Sequence, residues 1–124
     1  MKKCIFEGCA TAIVTPMNSD GSVNEQGFRD LVEQQIIGGI DALVVCGTTG
    51  ESAVLNHEEH LKVIEIAVKQ NAGRVPIIAG TGSNDTAYAV ELSKDALKIG
   101  ADALLMVTPY YNKTSQDGLV RHYK

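Results

Sequence analysis

Four short apolar runs, 10–14, 42–46, 75–79 and 103–107, alternate along the chain with stretches in which apolar residues recur every three or four positions. The runs are too short for helices and lack the strict alternation of half-buried strands, so each predicts a strand covered on both faces, as in a parallel sheet. Between the first two, Phe28, Leu31, Val32 and Ile36 keep helical spacing and Gly38-Gly39 supplies a stop. A second helix is expected to start at Asn56 with Glu59 as capping-box partner, to carry Leu61, Ile64 and Val68 on one side, and to end at Gly73. A third, capped by Asn84, sets Ala89, Leu92, Ala96 and Ile99 on one face and closes at Gly100. A fourth starts near Ser115 and is expected still to be running at Lys124.

The junction Gly39-Ile40-Asp41-Ala42-Leu43-Val44 returns almost unchanged as Gly100-Ala101-Asp102-Ala103-Leu104-Leu105. A repeated helix-to-strand junction points to a repeated βα unit. Eight such units make a barrel of about 250 residues. The 124 residues, with four units, therefore read as the N-terminal half of a (β/α)8 TIM barrel, one α/β domain over 1–124, truncated in the fourth helix. An open doubly wound sheet accommodates the same pattern. No Gly-x-Gly-x-x-Gly follows the first strand and no Walker lysine follows a glycine-rich turn, which argues against nucleotide binding.

Composition narrows the partners. With 44% hydrophobic and 21% charged residues the chain is ordinary for a globular domain. Eleven basic against 15 acidic residues give a formal charge of −4, and the basic ones are scattered, which argues against nucleic acid. No apolar run approaches the length needed to span a membrane. These features predict a cytoplasmic protein acting on a small soluble substrate. Cys4, Cys9 and Cys46 are odd in number and irregularly spaced in apolar surroundings, which predicts buried free thiols rather than disulfides or a zinc site.

In a parallel α/β architecture the chemistry sits at the carboxyl ends of the strands. Those ends read Thr15-Pro16, Gly47-Thr48-Thr49-Gly50-Glu51-Ser52, Gly80-Thr81-Gly82 and Thr108-Pro109-Tyr110-Tyr111. Hydroxyls gather there and charges do not. Thr48 and Thr49, doubled between glycines that free the backbone N–H groups, suit a small carboxylate. Thr15, Thr81 and Thr108 read as turn and cap residues. No histidine or acid ends a strand to act as a strong base. Lys62, Lys69, Lys94 and Lys98 lie on helices and Lys113 in a loop, all expected to be solvated. His57 and His60 stand three apart in a first helical turn with no third ligand of suitable spacing, so no metal site is expected.

Three linked motifs, Gly47-Thr48-Thr49-Gly50-Glu51-Ser52, Ala79-Gly80-Thr81-Gly82-Ser83-Asn84 and Val107-Thr108-Pro109-Tyr110-Tyr111-Asn112-Lys113, resemble the dihydrodipicolinate synthase family in order and spacing, and Ala12-Ile13-Val14-Thr15-Pro16 fits its first strand. The resemblance implies a (β/α)8 barrel in which a lysine forms a Schiff base with pyruvate. The resulting enamine attacks aspartate semialdehyde on the way to diaminopimelate and lysine, with no metal or organic cofactor. By motif, Thr49 would bind the pyruvate carboxylate, while Thr48 and Tyr111 would belong to a catalytic hydroxyl relay. The residue matching Tyr111 reaches into the neighbouring subunit's active site, so the resemblance implies a homo-oligomer, a tight dimer and in full-length members a tetramer. The family's imine-forming lysine, second relay tyrosine and entrance arginine are expected beyond Lys124. The 124-residue polypeptide is therefore expected to lack aldol activity and to self-associate or fold poorly. Ser52, Ala53, His57, His60, Asn84 and Tyr110 fall where a lysine effector would bind, but Tyr88 stands where lysine-sensing members tend to have an acid. Two alternatives remain: a related pyruvate aldolase such as a sialic acid lyase or keto-deoxy-sugar aldolase, and a non-catalytic half-barrel assembly module.

Overall fold

The structure, a computed structural model, describes residues 4–124. Its elements run β1 (Ala10–Ala12), α1 (Glu25–Ile37), β2 (Ala42–Val45), α2 (His57–Asn71), β3 (Ile77–Gly80), α3 (Thr86–Ile99), β4 (Ala103–Leu105) and α4 (Gln116–His122), with a 3₁₀ turn at Ser52–Val54 before α2. The strands form one sheet in the order β1-β2-β3-β4, every pair parallel. This is the succession of βα units expected from the repeat.

The core lies where the sheet meets the helices. Phe28 and Val32 of α1, Leu43 and Val45 of β2, Val63, Ile64 and Ile66 of α2, and Ile77 of β3 are almost wholly removed from solvent. Full burial of side chains of this size contributes about 2 kcal/mol each. Only β2 and β3 show the two-sided burial expected of all four strands. On the outer strands Ala10, Thr11, Ala103 and Leu104 are half-buried, while Ala12 and Leu105 are exposed. An edge strand has a neighbour on one side only, so apolar content alone does not bury it.

The strands are also shorter than the apolar runs. Val14 lies beyond β1 and is exposed. Cys46 leaves β2 through a left-handed backbone, φ 55°. Pro76 has no N–H to give to a ladder, so β3 starts one residue later, although the Pro76 carbonyl still accepts from Leu43 N at 3.0 Å.

The repeated junction performs one task twice. The Asp41 carboxylate accepts from Cys9 N at 2.8 Å while Asp41 N donates to Cys9 O at 3.1 Å. The Asp102 carboxylate likewise accepts from Ile77 N at 2.8 Å, and Asp102 N donates to Ile77 O at 2.9 Å. Each aspartate thus ties the start of its own strand to that of the preceding one. Gly8 makes room for the first tie, since a Cβ on its left-handed backbone would stand 1.9 Å from Asp41 Oδ2.

The capping box at α2 forms as expected, with Asn56 N donating to Glu59 Oε2 at 3.0 Å and Glu59 N to Asn56 Oδ1 at 2.9 Å. Its end differs: Ala72, not Gly73, is the C-cap, in a left-handed conformation of φ 49°. Asn71 holds it there by bonding both the N–H and the carbonyl of Val75. The cap of α3 is Asp85, whose Oδ1 accepts from Ala87 N and Tyr88 N. Asn84, the expected cap, instead offers its carbonyl to Asn112 Nδ2 at 2.9 Å, fastening the loop after β4. Ser115 caps α4, which ends at His122 rather than running on to Lys124. Of the three thiols only Cys46 is buried, and burial pushes its pKa up to about 12; Cys4 and Cys9 are exposed, and all three are free.

Two outcomes are expected from this frame. Ala72→Gly removes the left-handed strain of an alanine at an exposed helix end and raises stability by about 1 kcal/mol, read from denaturant midpoints. Arg74 grips Glu33 through both terminal guanidinium nitrogens, at 2.8 and 2.6 Å, and with Gln70 Nε2 lowers the Glu33 pKa from 4.5 to about 2. That depressed carboxylate stabilises the fold above its unfolded value near 4.5, and the contribution fades as pH falls toward about 2. Glu33→Gln therefore flattens the acid side of the pH–stability curve, whereas a curve parallel to that of the parent protein would show that the pair adds nothing.

Candidate active site

At the carboxyl end of β2 the left-handed Cys46 turns the chain sharply into Gly47-Thr48-Thr49-Gly50. Glu51, also left-handed at φ 55°, directs it into the 3₁₀ turn, with Glu51 N donating to Thr48 O at 3.0 Å. Thr15, buried at the end of the first run, donates its hydroxyl to Gly50 O at 2.8 Å and so fixes the turn from beneath. Thr48 and Thr49 are left exposed on top of it. Thr81 is completely buried and bonded to Ser93 Oγ at 2.8 Å. Thr15 and Thr81 therefore have the structural roles expected of them.

Gly80 brings the end of β3 against the end of β2. A Cβ there would lie 2.1 Å from the Cys46 carbonyl oxygen, a distance no side chain tolerates. Above this contact lies His60, which belongs to no strand end and is brought there by the packing of its helix. His60 comes from α2, is 5% exposed, and its Nε2 donates to Gly80 O at 2.8 Å. A carbonyl only accepts, so the proton sits on Nε2 and Nδ1 is bare. Burial lowers the His60 pKa, outweighing the Gly80 hydrogen bond, and the charge of His57 adds to the lowering. The ring is therefore neutral near pH 7. The Cys46 thiol closes the knot by donating to His60 O at 3.8 Å. The sequence signal was present: His60 precedes Ile64 by four residues on the apolar face of α2.

An open cleft of about 460 Å³ stands over these strand ends. Thr48 and Tyr111, the two residues assigned to a hydroxyl relay, both line it, as do Ser52, Ala53, His60 and Tyr110 from the expected effector set. Thr49 is exposed but does not line it, and neither do Asn84 and His57. Tyr111 has a left-handed backbone, φ 62°, and is fully exposed. Tyr88 also lines the cleft; its hydroxyl lies 3.4 Å from His57 Nδ1, and burial raises its pKa, with Glu91 and Tyr110 adding to the shift.

The two histidines of α2 thus diverge, His60 toward Gly80 and His57 toward α3. The sequence offered no third ligand beside them, yet Glu91 and Asp95 of α3 bring carboxylate oxygens to the His57 ring, all three ligand atoms within 4.8 Å of one another. Those partners are more than 30 positions away along the chain, out of reach of any spacing rule. Lys62, Lys69 and Lys98 lie on helix surfaces, paired with Glu65, Glu65 and Asp95 respectively.

The chain is similar to known proteins along nearly its whole length. The model of the "Dihydrodipicolinate synthetase family" matches residues 5–124. The 4-hydroxy-tetrahydrodipicolinate synthase of Geotalea daltonii is 59% identical over 119 residues, 96% of this chain and 41% of that protein. The enzyme of the same name from Acetivibrio thermocellus is 55% identical over all 124 residues, 42% of its length. The crystal structure of dihydrodipicolinate synthase from Aquifex aeolicus superposes with a TM-score of 0.93 at 50% identity, covering 96% of this chain and 40% of that one. The chloride-inhibited synthase from Acinetobacter baumannii, complexed with pyruvate, gives 0.94 at 50% identity, covering 97% and 41%. The chain spans about 41% of the length of the relatives it matches. Matched along nearly its whole length in both sequence and fold, the chain belongs to the dihydrodipicolinate synthetase family.

Proposed function

We propose that the protein to which these 124 residues belong is a pyruvate-dependent aldolase-type lyase that condenses pyruvate with aspartate semialdehyde to 4-hydroxy-tetrahydrodipicolinate. The observation that carries this reading is the convergence of the Gly47–Ser52 and Tyr110-Tyr111 loops on one cleft, with Thr48 and Tyr111 both lining it. In this reading a lysine outside the 124 residues forms the imine with pyruvate and releases water. Thr49, which stands exposed on the same turn outside the cleft lining, and the backbone N–H groups of that turn hold the carboxylate, a charge-assisted contact. Thr48 and Tyr111 pass protons as the imine becomes an enamine and the enamine attacks the aldehyde carbon. Neutral hydroxyls suit this task because they both donate and accept. The full exposure of Tyr111 supports a role across a homo-oligomer interface. No helix among the described residues is long and apolar enough to cross a membrane.

Trapping tests the reading. The full-length protein incubated with pyruvate and borohydride is expected to gain one pyruvate adduct per chain by intact mass. Thr48→Val and Tyr111→Phe are expected to lower kcat by about 100-fold or more, and Thr49→Val to raise KM for pyruvate by about tenfold. Absence of an adduct would remove the imine chemistry and leave the assembly-module reading. Preference for a sugar acid over aspartate semialdehyde would move the protein to the sialic acid lyase or keto-deoxy-sugar aldolase group.

The cleft lining also bears on lysine feedback. Ser52, Ala53, His60 and Tyr110 surround the cleft, but Tyr88 gives it a neutral phenol where an acid would pair with an ammonium group. Activity in saturating lysine is expected to change little, and Tyr88→Glu to increase sensitivity to lysine. Strong inhibition of the unaltered enzyme would contradict this.

A further inference from the structure

Helices α2 and α3 pack side by side, and at the N-terminal end of α2 they bring together three ligand-type side chains from two distant stretches of sequence. His57 occupies the first position of α2, while Glu91 and Asp95 are one turn apart on α3 and so share a face. His57 Nε2 stands 3.9 Å from Asp95 Oδ2, too far for a hydrogen bond. Two ligands bound at about 2.0–2.1 Å to a tetrahedral ion stand roughly 3.4 Å apart, so modest side-chain rotation closes the set around a metal.

The surroundings already orient the two better-shielded ligands. His57 Nδ1 lies 3.4 Å from the Tyr88 hydroxyl, with the rings 5.7 Å apart and inclined at 59°. With Nδ1 protonated toward that oxygen, Nε2 presents its lone pair to Asp95. This is the outer-sphere arrangement that fixes the tautomer of a metal-bound imidazole. Lys98 Nζ bonds the other oxygen of Asp95, Oδ1, at 2.7 Å and leaves Oδ2 directed at His57. Glu91 is exposed and free to swing.

We propose that His57, Glu91 and Asp95 form a binding site for a divalent ion of the zinc type on the outer surface between α2 and α3. One imidazole nitrogen and two carboxylate oxygens with an open fourth position suit zinc and the late first-row ions better than calcium or magnesium, which call for oxygen alone. The site joins two helices, and through Tyr88 it adjoins the cleft. It is independent of the aldol reading, since none of its three ligands lines the cleft.

The test is titration of the chelator-stripped full-length protein with zinc against a chromophoric competitor, with circular dichroism of each variant as the check on folding. One equivalent is expected to bind. His57→Gln, Glu91→Gln and Asp95→Asn are each expected to weaken binding by at least about tenfold. Lys98→Met, which relieves Asp95 of its competing cation, is expected to tighten binding. Cys4→Ser with Cys9→Ser is expected to leave it unchanged. Absence of saturable binding, parental affinity in either carboxylate variant or in His57→Gln, or loss of binding only in the cysteine variant would overturn the site.

Discussion

The contact between the Cys46 carbonyl and Gly80 is the constraint on which the functional end of this molecule depends. Two strand ends approach so closely that one must lack a side chain, and the left-handed turn at Cys46 is what aims the carbonyl there. His60 then covers the Gly80 carbonyl, while the Cys46 thiol bonds the backbone of His60. Three elements, β2, α2 and β3, are thereby locked at one point, and the Thr48-Thr49 turn grows directly from it. A buried carbonyl without a partner would cost about 1–3 kcal/mol, so the histidine is held by necessity as much as by packing.

Away from that point the fold is held by repetition. Asp41 and Asp102 each use a side chain and a backbone N–H to align neighbouring strand starts, at the end of the sheet opposite the cleft. Division of labour follows: alignment at the amino ends of the strands, chemistry at their carboxyl ends. The same separation explains why threonines at similar places have opposite fates. Thr15 and Thr81 spend their hydroxyls on Gly50 and Ser93, whereas Thr48 remains available at the cleft.

Much of this was legible in the residues. The apolar runs located all four strands, the 3.6-residue spacing of Phe28, Val32, Leu92 and Ala96 located helices, and the box of Asn56 with Glu59 set the start of α2. Errors fell at boundaries, where local alternatives compete. Asp85 displaced Asn84 as a cap because its carboxylate reaches two N–H groups at once. Ala72 took the left-handed position before Gly73 because Asn71 had already bound both polar groups of Val75. Uniform burial of the four strands failed because it depends on neighbours that an apolar run does not name.

The sequence by itself determined the order of βα units, the parallel sheet they build, and the hydroxyl-bearing turns at its carboxyl end, because these follow from periodicity and turn chemistry within a few residues of each position. The tertiary structure decided which side chains meet. The pairing of His60 with Gly80 spans 20 positions, Asn112 with Asn84 spans 28, and His57 meets Tyr88 across 31. Those distances along the chain are closed only when helices pack on a sheet. Packing then selects, among many polar groups of similar chemistry, the few that satisfy one another out of water.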